Sequence, residues 1–119
     1  MIPFAYVLTL MAVMAIAAGQ LLFKITANRI AGRTVADFVT DLTVLGPFVL
    51  AGTIYAAATV LWIMALRDLP LGRAYMFMAL SFVIVPLVST VLFSEQLSLG
   101  FAVGVGLIIA GLIVTQVFG

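Results

Sequence analysis

The chain has no cysteine and no histidine. Their absence excludes disulfide cross-links, thiolate and imidazole metal sites, and catalysis by serine–histidine or cysteine–histidine pairs. Charge is nearly as scarce, with five Lys and Arg and four Asp and Glu among 119 residues. The net charge of +1 leaves no electrostatic footprint for nucleic acid, so no such partner is expected. Four acids, all at the edges of apolar runs, are too few for the usual acid–base pairs. An enzyme is not expected, nor is any cofactor or metal.

Apolar residues make up 66% of the chain, where a soluble domain has about half. A small globule cannot bury so many side chains in one core. Four stretches carry no charge at all: Met1 to Phe23, Leu42 to Leu66, Ala74 to Ser94 and Gln96 to Gly119. A spanning helix needs about 20 apolar residues. The sequence therefore predicts an all-α membrane protein of four transmembrane helices in one domain, 1–119. The expected spans are about 4–23, 43–65, 74–93 and 99–118, with a polar connection over 24–42. Ala15-Ile16-Ala17 has the look of a signal cleavage site. No Lys or Arg precedes the run, however, and it exceeds a signal core in length, so the first helix is expected to be retained.

Within the long connection, Thr34 to Thr40 is predicted to form a short surface helix. Pro47 lies near the start of the second span, where its missing N–H should cost little. Pro86 should kink the third span by depriving the Phe82 carbonyl of its helical donor. An even number of spans puts Lys24 and Glu95 at one membrane surface and Arg67 and Arg73 at the other. Two cations against three leave the orientation unspecified under the positive-inside rule.

Small residues mark where helices meet, because packing rather than hydrophobicity joins helices in lipid. The fourth span carries Gly100, Gly104, Gly106, Ala110 and Gly111, which are read as a dimer interface. Gly52 and Ala56 of the second span are assigned to contact within the chain.

Several of these residues occur in a familiar order. Ala18-Gly19-Gln20 with Lys24, then Leu61-Trp62, Leu69-Pro70-Leu71-Gly72-Arg73-Ala74-Tyr75, Leu80-Ser81-Phe82-Val83, Glu95, and Gly104 with Gly111 resemble the drug/metabolite transporter superfamily. Within it the chain most resembles the aminoarabinose-phosphoundecaprenol flippase subunits, which are relatives of EamA proteins and of small-multidrug-resistance size. The resemblance implies a small-multidrug-resistance-like bundle that is dimeric or paired with a homologous subunit. It also implies a multi-pass protein of the bacterial inner membrane that moves a polyprenyl-phosphate-linked sugar between leaflets, with membrane lipids around it.

The alternatives are an exporter of small lipophilic cations of the multidrug type and a non-transporting accessory subunit. The exporter family uses a glutamate in the first helix, and alignment on Gly19 and Lys24 puts Ile16 there. A proton-coupled exporter needs an ionisable group inside the membrane.

Ile16, Gln20 and Lys24 share one helix face, passing from apolar through an amide to a surface cation. That face suits a lipid phosphate at Lys24. Equally, Gln20 can serve as an interhelical hydrogen bond and Lys24 as an interfacial anchor. Glu95 is expected to pair with Lys24, to receive an amino sugar, or merely to end the third helix in water. Arg73, beside Tyr75, is a second phosphate-capable cation at the opposite surface, or again an anchor. Ser81, Val85 and Ser89 share a face that could line the path, although serines also bond to their own helix backbone. The candidate substrate-binding residues are Gln20, Lys24, Arg73, Tyr75, Ser81 and Glu95.

Overall fold

The computed structural model describes residues 4–119, and among these it is helical with no strand. Helix α1 spans Phe4–Ile30, α2 Val35–Thr40 and α3 Leu42–Leu66. Next come α4, Leu71–Met76, a 3-10 turn over Phe77–Leu80, and α5, Ser81–Leu92. Helix α6, Leu99–Phe118, completes the chain. Four segments are long and apolar enough to cross a bilayer: α1, α3, the unit Leu71–Leu92, and α6. This is a multi-pass membrane protein.

The first helix does not stop at Lys24, as the charge pattern suggests, but continues to Ile30. Nothing between Lys24 and Ile30 breaks a helix. The stop comes at Gly32, whose φ of 75° suits glycine, with the Arg33 N–H donating to the Ile30 carbonyl at 2.9 Å. At 27 residues α1 is about 40 Å long, so its last turns project past a bilayer core of about 30 Å. The polar connection is correspondingly shorter. Within it Thr34 precedes helix α2 as the N-cap, and the Thr34 backbone N–H donates to the Asp37 carboxylate at 3.2 Å. Phe38 of α2 packs edge-on against Phe48 at 4.9 Å.

Asp41 caps α3, accepting from the Thr43 N–H at 2.9 Å and the Thr43 hydroxyl at 2.8 Å. Arg33 reaches the same carboxylate at 2.6 Å. Those Thr43 bonds and the Arg33 guanidinium hold Asp41 down from 3.8 to about 2. Pro47 lies inside α3 rather than in its first turn. The carbonyl it leaves without a helical donor is that of Thr43. Arg29 takes that carbonyl, donating from Nη1 at 2.6 Å.

Among the described residues, helices α1 and α3 form the one extensive helix pair, packed through small residues. On α3 the buried positions are Val44, Ala51, Ala58 and Ala65; on α1 they include Ala5, Ala12, Gly19 and Thr26. Both series step by seven residues, the period of a left-handed helix pair. The assignment of Gly52 and Ala56 to this contact is therefore corrected: both are exposed, and a Cβ on Gly52 would meet nothing. The buried strip lies one residue before Gly52 and repeats by seven instead of four.

In the third apolar unit the irregularity precedes Pro86. The 3-10 turn occupies Phe77–Leu80, and Pro86 sits within α5. The Ser81 hydroxyl donates to the Met78 carbonyl at 2.6 Å, binding the end of the 3-10 turn to the start of α5. Helix α6 touches the rest sparsely, and none of its residues is buried. Cβ atoms at Gly104, Gly106 and Gly111 would meet no other atom of the chain.

The seam makes a directional forecast. Ala58 is buried and Ala56, on the same helix, is exposed. Ala58→Leu should overpack the α1–α3 seam and destabilise by about 1–3 kcal/mol, while Ala56→Leu changes little. Thermal unfolding of both variants in one mild detergent distinguishes the two positions.

Candidate functional site

Where α1 and α3 lie close together, α5 stands away from α1 on its other side, and a groove opens between them. Its outer part is a cavity of about 500 Å³ with Gln20 and Lys24 of α1, Pro86 and Ser89 of α5, and Glu95 beyond α5 in its wall. An inner cavity of about 400 Å³ shares Gln20, Val85 and Pro86 with it and ends at Ile16 and Ser81. From Lys24 to Ile16 is about 12 Å along the helix.

Lys24 and Glu95 meet over the mouth, Nζ to Oε2 at 3.9 Å, each about half exposed. Ser94, at φ 56°, takes the left-handed conformation uncommon for a side chain and turns the chain after α5 toward this position. An exposed pair at this separation contributes about 0–1 kcal/mol. Both charges are thus available to a ligand at little cost in stability.

Deeper in, Gln20 donates from Nε2 to the Tyr55 hydroxyl at 2.6 Å. The Tyr55 ring lies on Gly19, where any Cβ would collide with it, and stacks on Phe23 at 5.2 Å. This contact is why a glycine precedes Gln20. The bond uses one amide proton of Gln20, so its carbonyl remains for a ligand in the groove, while Tyr55 itself lines a smaller neighbouring cavity of about 110 Å³ with Ile16, Trp62 and Met78. Tyr55 is not among the candidate substrate-binding residues read from the sequence. Its usable signal was a glycine beside a polar residue on a seam face.

Four of the six candidates thus line one groove: Gln20, Lys24, Ser81 and Glu95. The serine hydroxyls are engaged locally, Ser81 with Met78 and Ser89 with the Pro86 carbonyl at 2.8 Å. They shape the wall and have already donated their protons.

Arg73 and Tyr75 are elsewhere. Arg73 donates from Nε to the Gln116 side chain at 3.1 Å, and Gln116 returns a bond to the Arg73 carbonyl, also at 3.1 Å. Tyr75 is exposed. At this end Ala5, Leu69 and Ala74 are buried together beneath Tyr6, Trp62 and Leu66. Tyr6 also meets Phe77 edge-to-face at 5.7 Å. The groove is therefore open at the Lys24 surface and closed at the Arg73 surface.

This chain is similar to proteins named as probable 4-amino-4-deoxy-L-arabinose-phosphoundecaprenol flippase subunits. It is 43% identical over 75 residues to such a subunit, ArnF, of Pseudomonas fluorescens, covering 61% of this chain and 55% of that one. The ArnF of Pseudomonas aeruginosa is 42% identical over 66 residues, 54% of this chain and 48% of its own. An ArnE subunit of Salmonella paratyphi B is 43% identical over 58 residues, 49% of this chain and 52% of its own. The chain spans about half the length of the curated relatives it matches. No family model matches it. No solved structure matches it either. The resemblance read from the order of motifs in the sequence is borne out by these relatives.

The Gly19–Tyr55 contact can be tested directly. Gly19→Ala and Tyr55→Ala should each lower thermal stability in detergent. Because the added methyl clashes only with the Tyr55 ring, the double variant should fall short of the summed loss by about 1 kcal/mol or more. A strictly additive cycle would place the ring away from Gly19.

Proposed function

We propose that this chain is a subunit of a transporter of the bacterial inner membrane that moves an amino-sugar phosphate carried on a polyprenol between leaflets. The observation that best supports this reading is the Lys24–Glu95 pair at the mouth of the groove. An amino-sugar phosphate carries one anion and one cation, and the mouth offers one partner of each sign. The phosphate exchanges Glu95 for itself at the Lys24 ammonium, a three-donor point charge. The sugar ammonium takes Glu95 in return. Hydroxyls of the sugar then reach the Gln20 carbonyl inside the groove. The relatives' names point to the same class of lipid.

Among the described residues the groove carries one carboxylate, Glu95, which lies at its mouth paired with Lys24 and not within a membrane-spanning helix. Ile16 lines its inner end, where an exporter of the multidrug type requires a carboxylate. Movement is then driven by consumption of the lipid on the far side, or by the paired subunit. In this reading the closed end opens by parting of the Arg73–Gln116 contact, and Arg73 meets the phosphate as it arrives.

The test is scrambling of a fluorescent polyprenyl-phosphate amino sugar in liposomes at matched protein abundance. Lys24→Gln should slow transfer about tenfold or more, as losing a hydrogen bond to a charged group costs about 1.5–3 kcal/mol. Lys24→Arg should retain part of the rate, and an imposed pH gradient should leave the wild-type rate unchanged. Normal transfer by Lys24→Gln would reduce this residue to an anchor.

Association is the second element of the proposal, with α6 as the surface for an identical or homologous subunit. Gly100, Gly104 and Gly111 fall on one face of α6, and Gly106 and Ala110 on another. Gly104→Leu should leave the subunit folded, since a Cβ there meets no atom of its own chain, and should shift the population toward monomer. Mass measurement in mild detergent reads the shift.

A further inference from the structure

Pro86, Leu97 and Phe101 each face two spaces. On one side they line the outer part of the groove beneath Lys24 and Glu95. On the other they bound a crevice of about 290 Å³ between α5 and α6, shared with Leu87, Ala102 and Val105. One further polar residue reaches this crevice, Ser98. Its hydroxyl caps α6, accepting from the Phe101 N–H at 3.1 Å. The crevice wall is therefore hydrocarbon, whereas the adjoining groove carries a cation and an anion. A molecule in which a charged head is joined directly to a long apolar chain matches both spaces at once.

We infer that the α5–α6 crevice holds the first isoprene units of a polyisoprenyl tail whose phosphate lies at Lys24. The inference rests on the lipid-linked-sugar reading of the groove and adds to it a site for the tail. In lipid the tail is already out of water, so its gain on entering the crevice comes from shape and packing. The walls are suited to that role. Pro86 and Phe101 are stiff, and a branched, unsaturated chain presents a different profile to them from a straight acyl chain.

The site also leaves the proposed subunit interface free. Ser98, Phe101, Ala102 and Val105 form one face of α6, and Gly100, Gly104 and Gly111 form another about 130° away around the helix. A second subunit on the glycine face does not cover the crevice.

The experiment uses the intact chain in phospholipid vesicles containing undecaprenyl phosphate with a photoreactive diazirine on the isoprene unit next to the phosphate. Labelling should fall on Leu87, Ala102 and Val105. Excess unlabelled undecaprenyl phosphate should suppress it, and an equal excess of phosphatidylglycerol should not. Labelling spread over all lipid-facing helices, or suppressed equally by the phospholipid, overturns the inference.

A second arm fills the crevice with Ala102→Phe, at an exposed position of α6 that lines it. This variant should show a several-fold loss of undecaprenyl-linked transfer. Binding of a water-soluble sugar phosphate, which lacks a tail, should be unchanged. Wild-type transfer together with an unaffected Ala102→Phe rate counts against the tail site alone. Absence of transfer in the wild type counts against the functional reading, and the labelling pattern then decides the tail site by itself.

Discussion

The close approach of α1 and α3 is the constraint on which the rest depends. In a bilayer, water does not drive two apolar helices together, so the pair must gain from contact between backbones and small side chains. The residues that permit this are Ala5, Ala12, Gly19 and Thr26 on α1 and Val44, Ala51, Ala58 and Ala65 on α3. The two series run in opposite directions with the same step. A single antiparallel register therefore matches Ala5 with Ala65, Ala12 with Ala58, Gly19 with Ala51 and Thr26 with Val44. Tyr55, one turn beyond Ala51, then falls beside Gly19 and Gln20, where its ring and hydroxyl are found. The position of Gln20 in the groove wall, held by its bond to Tyr55, is thus a consequence of the seam's register.

The same pair handles the prolines. Pro47 leaves the Thr43 carbonyl without its helical N–H, and in lipid such a group needs a substitute donor. Because α1 outlasts the bilayer, Arg29 stands level with the start of α3 and supplies it. The cation that seemed to belong to a loop is a structural donor. Arg33 is likewise occupied with Asp37 and Asp41. Of the three cations at this surface, Lys24 is the one whose partner lies across the groove.

Much of this was legible in the sequence, unevenly. Four uncharged runs set four helices, and the parity of spans placed Lys24 and Glu95 at one surface, which their 3.9 Å separation bears out. The helix end at Ile30 is hidden in the sequence because the charges from Lys24 onward suggest a boundary where no residue breaks the helix. The α1–α3 seam was hidden for a different reason. In chains apolar all round, inward and outward residues differ in size rather than polarity, and Ala at a seven-residue step draws less notice than Gly at a four-residue step. The glycine pattern of α6 was noticed first, yet within the chain its Cβ positions at Gly104, Gly106 and Gly111 face empty space. Gln116 was missed because no apolar pattern links it to Arg73, 43 residues before it.

The depth of the groove sets the remaining demand on any crossing. Lys24 to Ile16 covers about 12 Å, less than half of a hydrocarbon core of about 30 Å. Beyond Ile16 the chain is closed by the Tyr6–Phe77 contact, the Ala5–Leu69–Ala74 cluster and the Arg73–Gln116 bonds. The first two are apolar contacts between neighbouring helices. The third links α4 to the last turn of the sparsely held α6. In the proposed transport, a head group following this groove next reaches the tie between α4 and α6, not the α1–α3 seam. Movement of α6 and of the segment ahead of α5 opens that tie without disturbing the seam. The 3-10 turn at Phe77–Leu80 lies between the tied helix α4 and the groove wall α5, and a short 3-10 stretch inside a helix is a place where a chain bends. The rigid half of the molecule thus holds Lys24, Gln20 and Tyr55 in place. In the proposed transport, the sparsely packed half that holds Arg73 is the one that moves.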